Sequence, residues 1–439
     1  MNSKVVLAIV AAVVVVAAGA GAVVLLTKDN GGGSTTRLDG MLEVYGNANE
    51  DYVINSDDTS IIKKIIEKEE GYTLDKYPFA DANHDGSVDE ADVNLVKDII
   101  DGKATRVYHV NHVGTSTTVT STAIPIKGCI ALSSADMLGT LKVVGAEGLI
   151  KGVSSTNYIS EVLFPTLAAK HLTKMGASTM KIDTATALAL KESDPTVTAI
   201  LCPDNASYIK DNETELAKTF DIVRVIPGSG VVADFVSCTL TLGFLFGMEE
   251  RANDIVDWYN DVYTHVASKV NDDNRVTAIT INTVKNVCTD KSPYTGVILA
   301  AGASYTFGDL GTGDPTAISR SFDKASDNWL YAVNVDYLAH NSVQQYAITK
   351  ETIATLKEST MANYSMTKAY DDGHYFLFDG SMPVPVRVAY VAEQFYGEEL
   401  GAGYGDKMHQ DFIDKFFTDM KDFKVTDHIF VVTSKDLQS

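Results

Sequence analysis

Near the middle of the chain, "VADFVSCTLTLGFLFGMEERANDIVDWYNDVYTHVASKVND" (residues 232–272) carries about 40 residues of largely helical pattern, open to a break at Gly243 or Gly247. An average globular helix runs only ~11 to 12 residues, so a stretch this long dictates the architecture around it. Both flanks have a different grain. From about Ser121, short β-branched runs alternate with helical stretches: "KGCIAL", "SADMLGTLKVVG", "LIKGVS", "TAILCP" and "DIVRVIPG" before the long segment, "RVTAITIN" and "HYFLFDG" after it. Strands alternating with helices predict α/β layers built on mostly parallel sheets. The predicted fold class is therefore α/β: two Rossmann-like lobes, residues 121–229 and 275–439, joined by a long helix within 230–274. A helix that fixes two lobes at constant separation leaves a largely preformed cleft, which lowers the ordering cost of capture.

The start of the chain gives its address. "VVLAIVAAVVVVAAGAGAVVLL" runs from Val5 to Leu26 without a charge, behind Lys4. At ~1.5 Å per residue this can cross a hydrocarbon core of ~30 Å, whereas a cleaved signal has an apolar stretch of about 7 to 15 residues. Residues 1–27 are expected to be a transmembrane anchor or a signal, oriented N-in with the body outside. No cysteine follows until Cys129, which excludes a lipid-modified cysteine anchor. A prokaryotic surface fits, an archaeal one included. Residues 28–40, with "KDNGGGSTTR", read as a flexible linker. A net charge of −22 and no basic run exclude nucleic acid as a partner. Cys129, Cys202, Cys238 and Cys288 have no CxxC spacing and sit mostly in apolar settings that suit buried thiols.

Residues 41–104 form a separate acidic unit. In "DANHDGSVDEAD" the six positions that supply oxygen to calcium hold Asp81, Asn83, Asp85, the Ser87 carbonyl, Asp89 and Asp92, with Gly86 at the turn. An upstream copy, "NANEDYVINSDD", offers Asn47, Asn49, Asp51, the Val53 carbonyl, Asn55 and Asp58, with Tyr52 where glycine would ease a positive φ. Each loop precedes one apolar helix, "SIIKKIIEKEEG" or "VNLVKDIIDG". This duplicated loop–helix, with Asp at its twelfth position, resembles the dockerin type I module. The resemblance implies one or two structural calcium ions and a cohesin-like surface partner. Residues 105–120 read as a second linker, and His109 and His112 of "HVNH" face opposite sides of a strand, so they form no metal pair.

The remainder, about 121–432, resembles the substrate-binding proteins of ABC importers for iron-siderophore complexes, haem and cobalamin. "IPIKGCIALSSADMLGTLKVVGAEGLIKGVSS", "TATALALKESDPTVTAIL", "LGFLFGMEERANDIVDWYNDV", "AGASYTFGD" and "DDGHYFLFDG" carry it, in family order. It implies a small-molecule metal chelate delivered to an ABC permease, with no catalysis. Ligands of open α/β sheets bind at the carboxyl ends of strands. The candidates are Ser133, Ser134, Ser155 to Tyr158 and Asn205 to Tyr208 in the first lobe, and Asn282, Lys285, Tyr305, Arg320 and Arg387 in the second. The loops around Tyr208 and Arg387 match family cleft loops. Arginine supplies a planar fork for carboxylate or phosphate, and tyrosine a rigid amphipathic wall. Permease docking through one acid per lobe would fall on Asp323 and, with Ala185 at the family's first position, on Asp183. Serine-hydrolase, P-loop and dinucleotide fingerprints do not occur. The rival reading is a calcium-dependent surface assembly or adhesion protein.

Overall fold

The computed structural model describes residues 37–438 apart from 104, 171, 177, 284–285, 290–291, 306–322, 325–326 and 347. The apolar segment 1–27, most of the spacer after it, Lys285 and Arg320 lie outside the described residues. Among the described residues no helix is long and apolar enough to cross a membrane.

Helices α1 (Ser56–Ile66) and α2 (Glu90–Ile100) are amphipathic and close a small core around Ile62, Val93 and Val96. Where composition suggested a linker, β1 (Thr105–Val113) and β2 (Ser116–Ile124) pair as an antiparallel hairpin, with Val107, His109 and Asn111 turned inward at period two. Gly114, at φ +62°, makes the tight turn between them.

The first lobe is a five-stranded parallel sheet: β3 (Cys129–Ala131), β4 (Ile150–Val153), β5 (Thr173–Lys174), β6 (Ala199–Pro203) and β7 (Asp221–Val225), in the order β5-β4-β3-β6-β7. β6 is buried along its whole length, as a central parallel strand covered on both faces must be. Helix α3 (Ala135–Val143) follows β3 and α4 (Thr184–Ser193) precedes β6. Strand order reverses about β3, which places a crevice at its carboxyl end.

The helical segment expected over 230–274 is broken at the second of its two candidate glycines into two helices, α5 (Val232–Phe246) and α6 (Glu249–Ala267). Gly247 takes the left-handed conformation, φ 69°, and ends α5. The chain then folds back, so that Phe235 meets Tyr259 with ring centroids 5.2 Å apart. In one straight helix those residues would be about 36 Å apart. Gly243 lacks the side chain that would collide with Ala252. The strut between the lobes is α6 alone, whose 19 residues span about 28 Å.

The second lobe contains β8 (Thr277–Thr283), β9 (Asn286–Val287), helix α7 (Pro293–Ala300), β10 (Ser304–Tyr305), β11 (Asp323–Lys324) and β12 (Tyr337–Ser342). Then come α8 (Lys350–Tyr364), β13 (Tyr375–Asp379), α9 (Val384–Leu400), α10 (Tyr404–Phe416) and β14 (Val431–Thr433). Strands β10, β8, β12 and β13 run parallel, β9 and β14 flank them antiparallel, and β11 pairs antiparallel with β9 at the edge, so this half is Rossmann-like only at its centre.

The lobes are fastened behind the cleft. Lys142, on α3, is buried between Glu147 at 3.0 Å and Asp419 of the second lobe at 2.7 Å. Arg251 on α6 donates to the Val143 carbonyl at 2.8 Å and to the Phe416 carbonyl. One continuous apolar core runs from Leu38 through both lobes to Phe430.

Candidate functional site

Loops at the carboxyl ends of the strands converge between the lobes. After β3, Ser134 caps α3 by accepting from the Met137 N–H at 3.0 Å, so its hydroxyl serves the helix. Two residues on, Asp136 projects across the junction and accepts from Arg387 Nη2 at 3.1 Å. Arg387 is 3% exposed. Its Nε donates to the Met382 carbonyl at 2.6 Å, while its Nη1 is buried with no hydrogen-bond partner among the described residues. Burial raises the Asp136 carboxyl, and the Arg387 guanidinium partly opposes that shift. Beside the pair lies a cavity of about 20 Å³, room for one water.

Tyrosines surround this pair. Burial, then the electrostatic influence of Tyr158 and Asp136, pushes the Tyr208 phenol up to about 12. The Asp136 charge, then burial, raises the Tyr294 phenol on α7, with Tyr208 a further contributor. Tyr208, Tyr294, Asp136 and Arg387 thus form a chain of electrostatic neighbours, with Tyr158 joined to it through Tyr208. The loop bearing Tyr208 is shaped by Arg224, a buried residue of β7. Its guanidinium gathers the carbonyls of Pro203 (3.3 Å), Asn205 (3.2 Å) and Tyr208 (2.8 Å) and pairs with Glu213 at 2.8 Å.

From the opposite side, Gln345 donates to the Asn157 carbonyl at 3.1 Å, closing the lobes beside Tyr158. Gln345 and Tyr346 have φ of 54° and 61°, a left-handed pair that costs roughly 1–2 kcal/mol per residue. The buried Asp379 carboxylate holds it by accepting from the Gln344 N–H at 2.9 Å and the Tyr346 N–H at 2.8 Å. Strain held in place this way concentrates at functional loops.

The other candidates stand apart from this cluster. Asn205 is exposed and caps its own turn, accepting from the Ser207 N–H at 2.9 Å. Tyr305 donates to the Cys288 carbonyl at 2.9 Å, and Asn282 is half-buried at the end of β8. Asp183 is an exposed N-cap of α4, lowered by hydrogen bonds from Thr186. Asp323 lies on β11. All four cysteines are buried and free. Sequence reasoning passed over Asp136, Arg224, Tyr294 and Gln345. Only Arg224 left a signal, a lone charge inside the apolar run "DIVRVIPG".

The two calcium-type loops are built alike. In the second, Asp81 accepts from the Asp85 and Gly86 N–H groups (3.1 and 2.9 Å), Asp85 from Ser87 (2.9 Å), and Asp92 from Asn83 and Asp89 (3.0 and 2.8 Å). Asp89 and Asp92 double as a capping box for α2, and Asn55 and Asp58 do the same for α1. In the first loop Asn47 and Asn49 accept from the Asp51 N–H, and Asp51 from Val53. Tyr52 carries no strain. The fourth position of each loop is left-handed, Glu50 (55°) and His84 (52°); the sixth has the expected positive φ in loop two, at Gly86 (92°), but not in loop one, where Tyr52 stands. Its ring lies 3.3 Å beneath the Arg37 guanidinium, and its hydroxyl donates to the Leu38 carbonyl at 2.7 Å.

Does this donor set fit calcium? No group of three or more His, Cys, Asp or Glu is drawn together as a metal cluster among the described residues. The loop carboxylates turn instead onto their own N–H groups. The second loop nevertheless offers only hard oxygens and four carboxylates, and burial raises Asp92 with Asp81 and Asp89 adding to the shift. A divalent cation relieves that crowding, so these residues fit. The first loop, with Asp51 and Asp58 as its acids, fits less well.

Comparison with known proteins divides the chain in the same place. Residues 45–101 match the dockerin type I domain. No curated protein matches the chain in sequence. Among solved structures, the TroA-like periplasmic binding protein FepB from Veillonella parvula aligns with a TM-score of 0.55 and 16% identity, over 74% of this chain and 99% of its own. The body is TroA-like in fold. CeuE from Helicobacter pylori, in a Ni-His complex, aligns with the TroA-like body at a TM-score of 0.53 and 11% identity, over 73% of this chain and 98% of its own. A periplasmic solute binding protein from Veillonella parvula follows at 0.51 and 14%, over 71% and 93%.

Proposed function

We propose that this chain is an extracytoplasmic solute-binding protein that captures an iron-siderophore or related metal chelate and delivers it to an ABC permease. The carrying observation is the convergence of Arg387, Asp136 and three tyrosines between the lobes of a TroA-like body. Arg387 presents a buried, unpartnered N–H to an incoming anionic oxygen, and a charge-assisted bond there is worth roughly twice a neutral one. The tyrosines supply flat, wettable walls for the rest of the guest. Capture requires no covalent step. Asp183 and Asp323 are the acids proposed to meet the permease, and residues 1–27 to hold the body at the membrane. In the dockerin-like module, Asp81, Asn83, Asp85, Ser87, Asp89 and Asp92 would hold calcium, which supplies charge neutralisation and rigidity to the loop.

The match at 45–101 favours a second role, calcium-dependent attachment to a cohesin-like surface protein. The test of the main reading is native mass spectrometry of the protein purified from its host, followed by a thermal-shift panel of siderophores, haem, cobamides and oxyanions. A co-purifying chelate that stabilises wild type but not Arg387→Met supports it. A body that arrives empty and responds to nothing in the panel overturns it.

A further inference from the structure

The dockerin-like module is not hung from the body on a tether. Residues 38–46 leave it and lie along α5, the helix that begins just after Gly228 and Gly230, which abut Asp136 and Pro293 between the lobes. We propose that calcium capture is read out within the same chain: the module clamps this strap onto α5, and α5 carries the state of the calcium loops to the cleft. The inference deepens the receptor reading, on which it rests for the meaning of the cleft.

The body side of the strap is closely fitted. A β-carbon on Gly40 would strike Val236 and the Ala233 carbonyl. The Met41 N–H donates to Ser237 Oγ at 3.1 Å and the Glu43 N–H to Thr241 Oγ1 at 3.2 Å, which fall four residues apart on one face of α5. Leu38, Leu42 and Val44 are buried in the body's core.

The calcium loops hold the other edge. The Leu42 N–H donates to the Asp51 carbonyl at 2.9 Å, and the Leu42 carbonyl accepts from Asn47 Nδ2 at 2.7 Å. Asn47 and Asp51 are the first and fifth positions of loop one. His84, at the fourth position of loop two, lies against Tyr45 and Tyr108, with ring centroids 4.7 and 5.7 Å apart. Tyr108 belongs to β1, which bonds the strap through the Tyr45 N–H at 2.8 Å. Strap position therefore depends on where both loops place their backbone.

At the cleft end, a β-carbon on Gly228 would run into the Asp136 carboxyl. The Gly230 N–H donates to the Pro293 carbonyl at 2.8 Å, one residue before Tyr294. Movement at the start of α5 is thus felt by the Asp136–Arg387 pair and by the helix that carries Tyr294.

The test is amide hydrogen exchange on the full chain, in calcium against chelator, with no solute present. Calcium withdrawal is expected to speed exchange in 45–101 and, by about tenfold or more, in 37–46 and 232–246, while α10 keeps its rate. A change confined to 45–101 overturns the proposal. Gly40→Val unseats the strap without touching a calcium loop. It is expected to leave the calcium response of 45–101 intact and make α5 indifferent to calcium; an α5 response that persists in this variant also overturns the proposal. The comparison in the unaltered chain stands even if Gly40→Val does not fold. A chain that binds chelates but shows a calcium-blind α5 defeats this inference alone. One that relays calcium to α5 but binds no chelate defeats the receptor reading alone.

Discussion

His409 offers a direct check on the core of the second lobe. It is wholly buried on α10, with Nε2 3.1 Å from the Tyr346 hydroxyl and Nδ1 3.2 Å from the Tyr390 hydroxyl. Burial, with a smaller repulsion from His428, lowers it from 6.5 to about 3. The native protein therefore refuses a proton that the unfolded chain accepts. The stabilisation is whole above pH 6.5 and is lost as pH falls from there toward 3. Between pH 7.5 and pH 5, protonation favours the unfolded state by about 2 kcal/mol. His340, lowered to about 4 by burial, adds a loss of similar size, whereas Asp58, raised to about 6 by burial, acts in the opposite sense over this range. Both are common to wild type and to His409→Gln, a variant of similar size that can still bond both hydroxyls but does not titrate. Urea unfolding at the two pH values, followed by the fluorescence of buried Trp258, measures the difference. Wild type should lose about 2 kcal/mol more than the variant on acidification. Equal losses would refute the assignment of a neutral, desolvated imidazole.

Asp136→Asn removes the countercharge and leaves the buried Arg387 guanidinium with neutral acceptors, the Met382 carbonyl and the new amide oxygen, and should cost about 3 kcal/mol in chemical denaturation; a change under about 0.5 kcal/mol would mean the pair is solvated. Gly230→Ala drives a β-carbon into the α7 backbone at Pro293 and Val297, so its melting temperature should fall by an amount corresponding to about 3 kcal/mol. Asp92→Asn removes the acid that gathers both ends of loop two, and should weaken calcium binding by calorimetry at least about tenfold. Asn47→Ala in the acid-poor first loop should change the total heat far less.

The parts legible in the sequence were those set by period and by local chemistry. Continuous apolar runs such as "AILCP" announced buried parallel strands, and oxygen-bearing residues at fixed intervals announced loop two, because each depends on neighbours along the chain. The fold-back of α5 on α6 depends on one dihedral at Gly247 and on the room at Gly243; the glycines marked where a break could fall, but the apolar pattern on both sides does not say that the chain reverses there. The hairpin over 105–124 was hidden because its polar alternation reads equally well as a linker. Arg387 and Tyr208 could be named from their loops. Asp136 looked like an ordinary acid in the first turn of a helix, where such residues are common for the sake of the dipole, and only its partner 251 residues away gives it another role.

The strap has a consequence for the order in which the protein is made. Met41 finds its acceptor on Ser237, 196 positions later in the chain. The segment that leaves the ribosome early is therefore among the last to be seated, and until α5 emerges Leu38, Leu42 and Val44 have nowhere apolar to go. A nascent chain halted before about residue 230 should be open to proteases at the stretch around residues 38–44, and that stretch should vanish from digestion maps once synthesis passes α5.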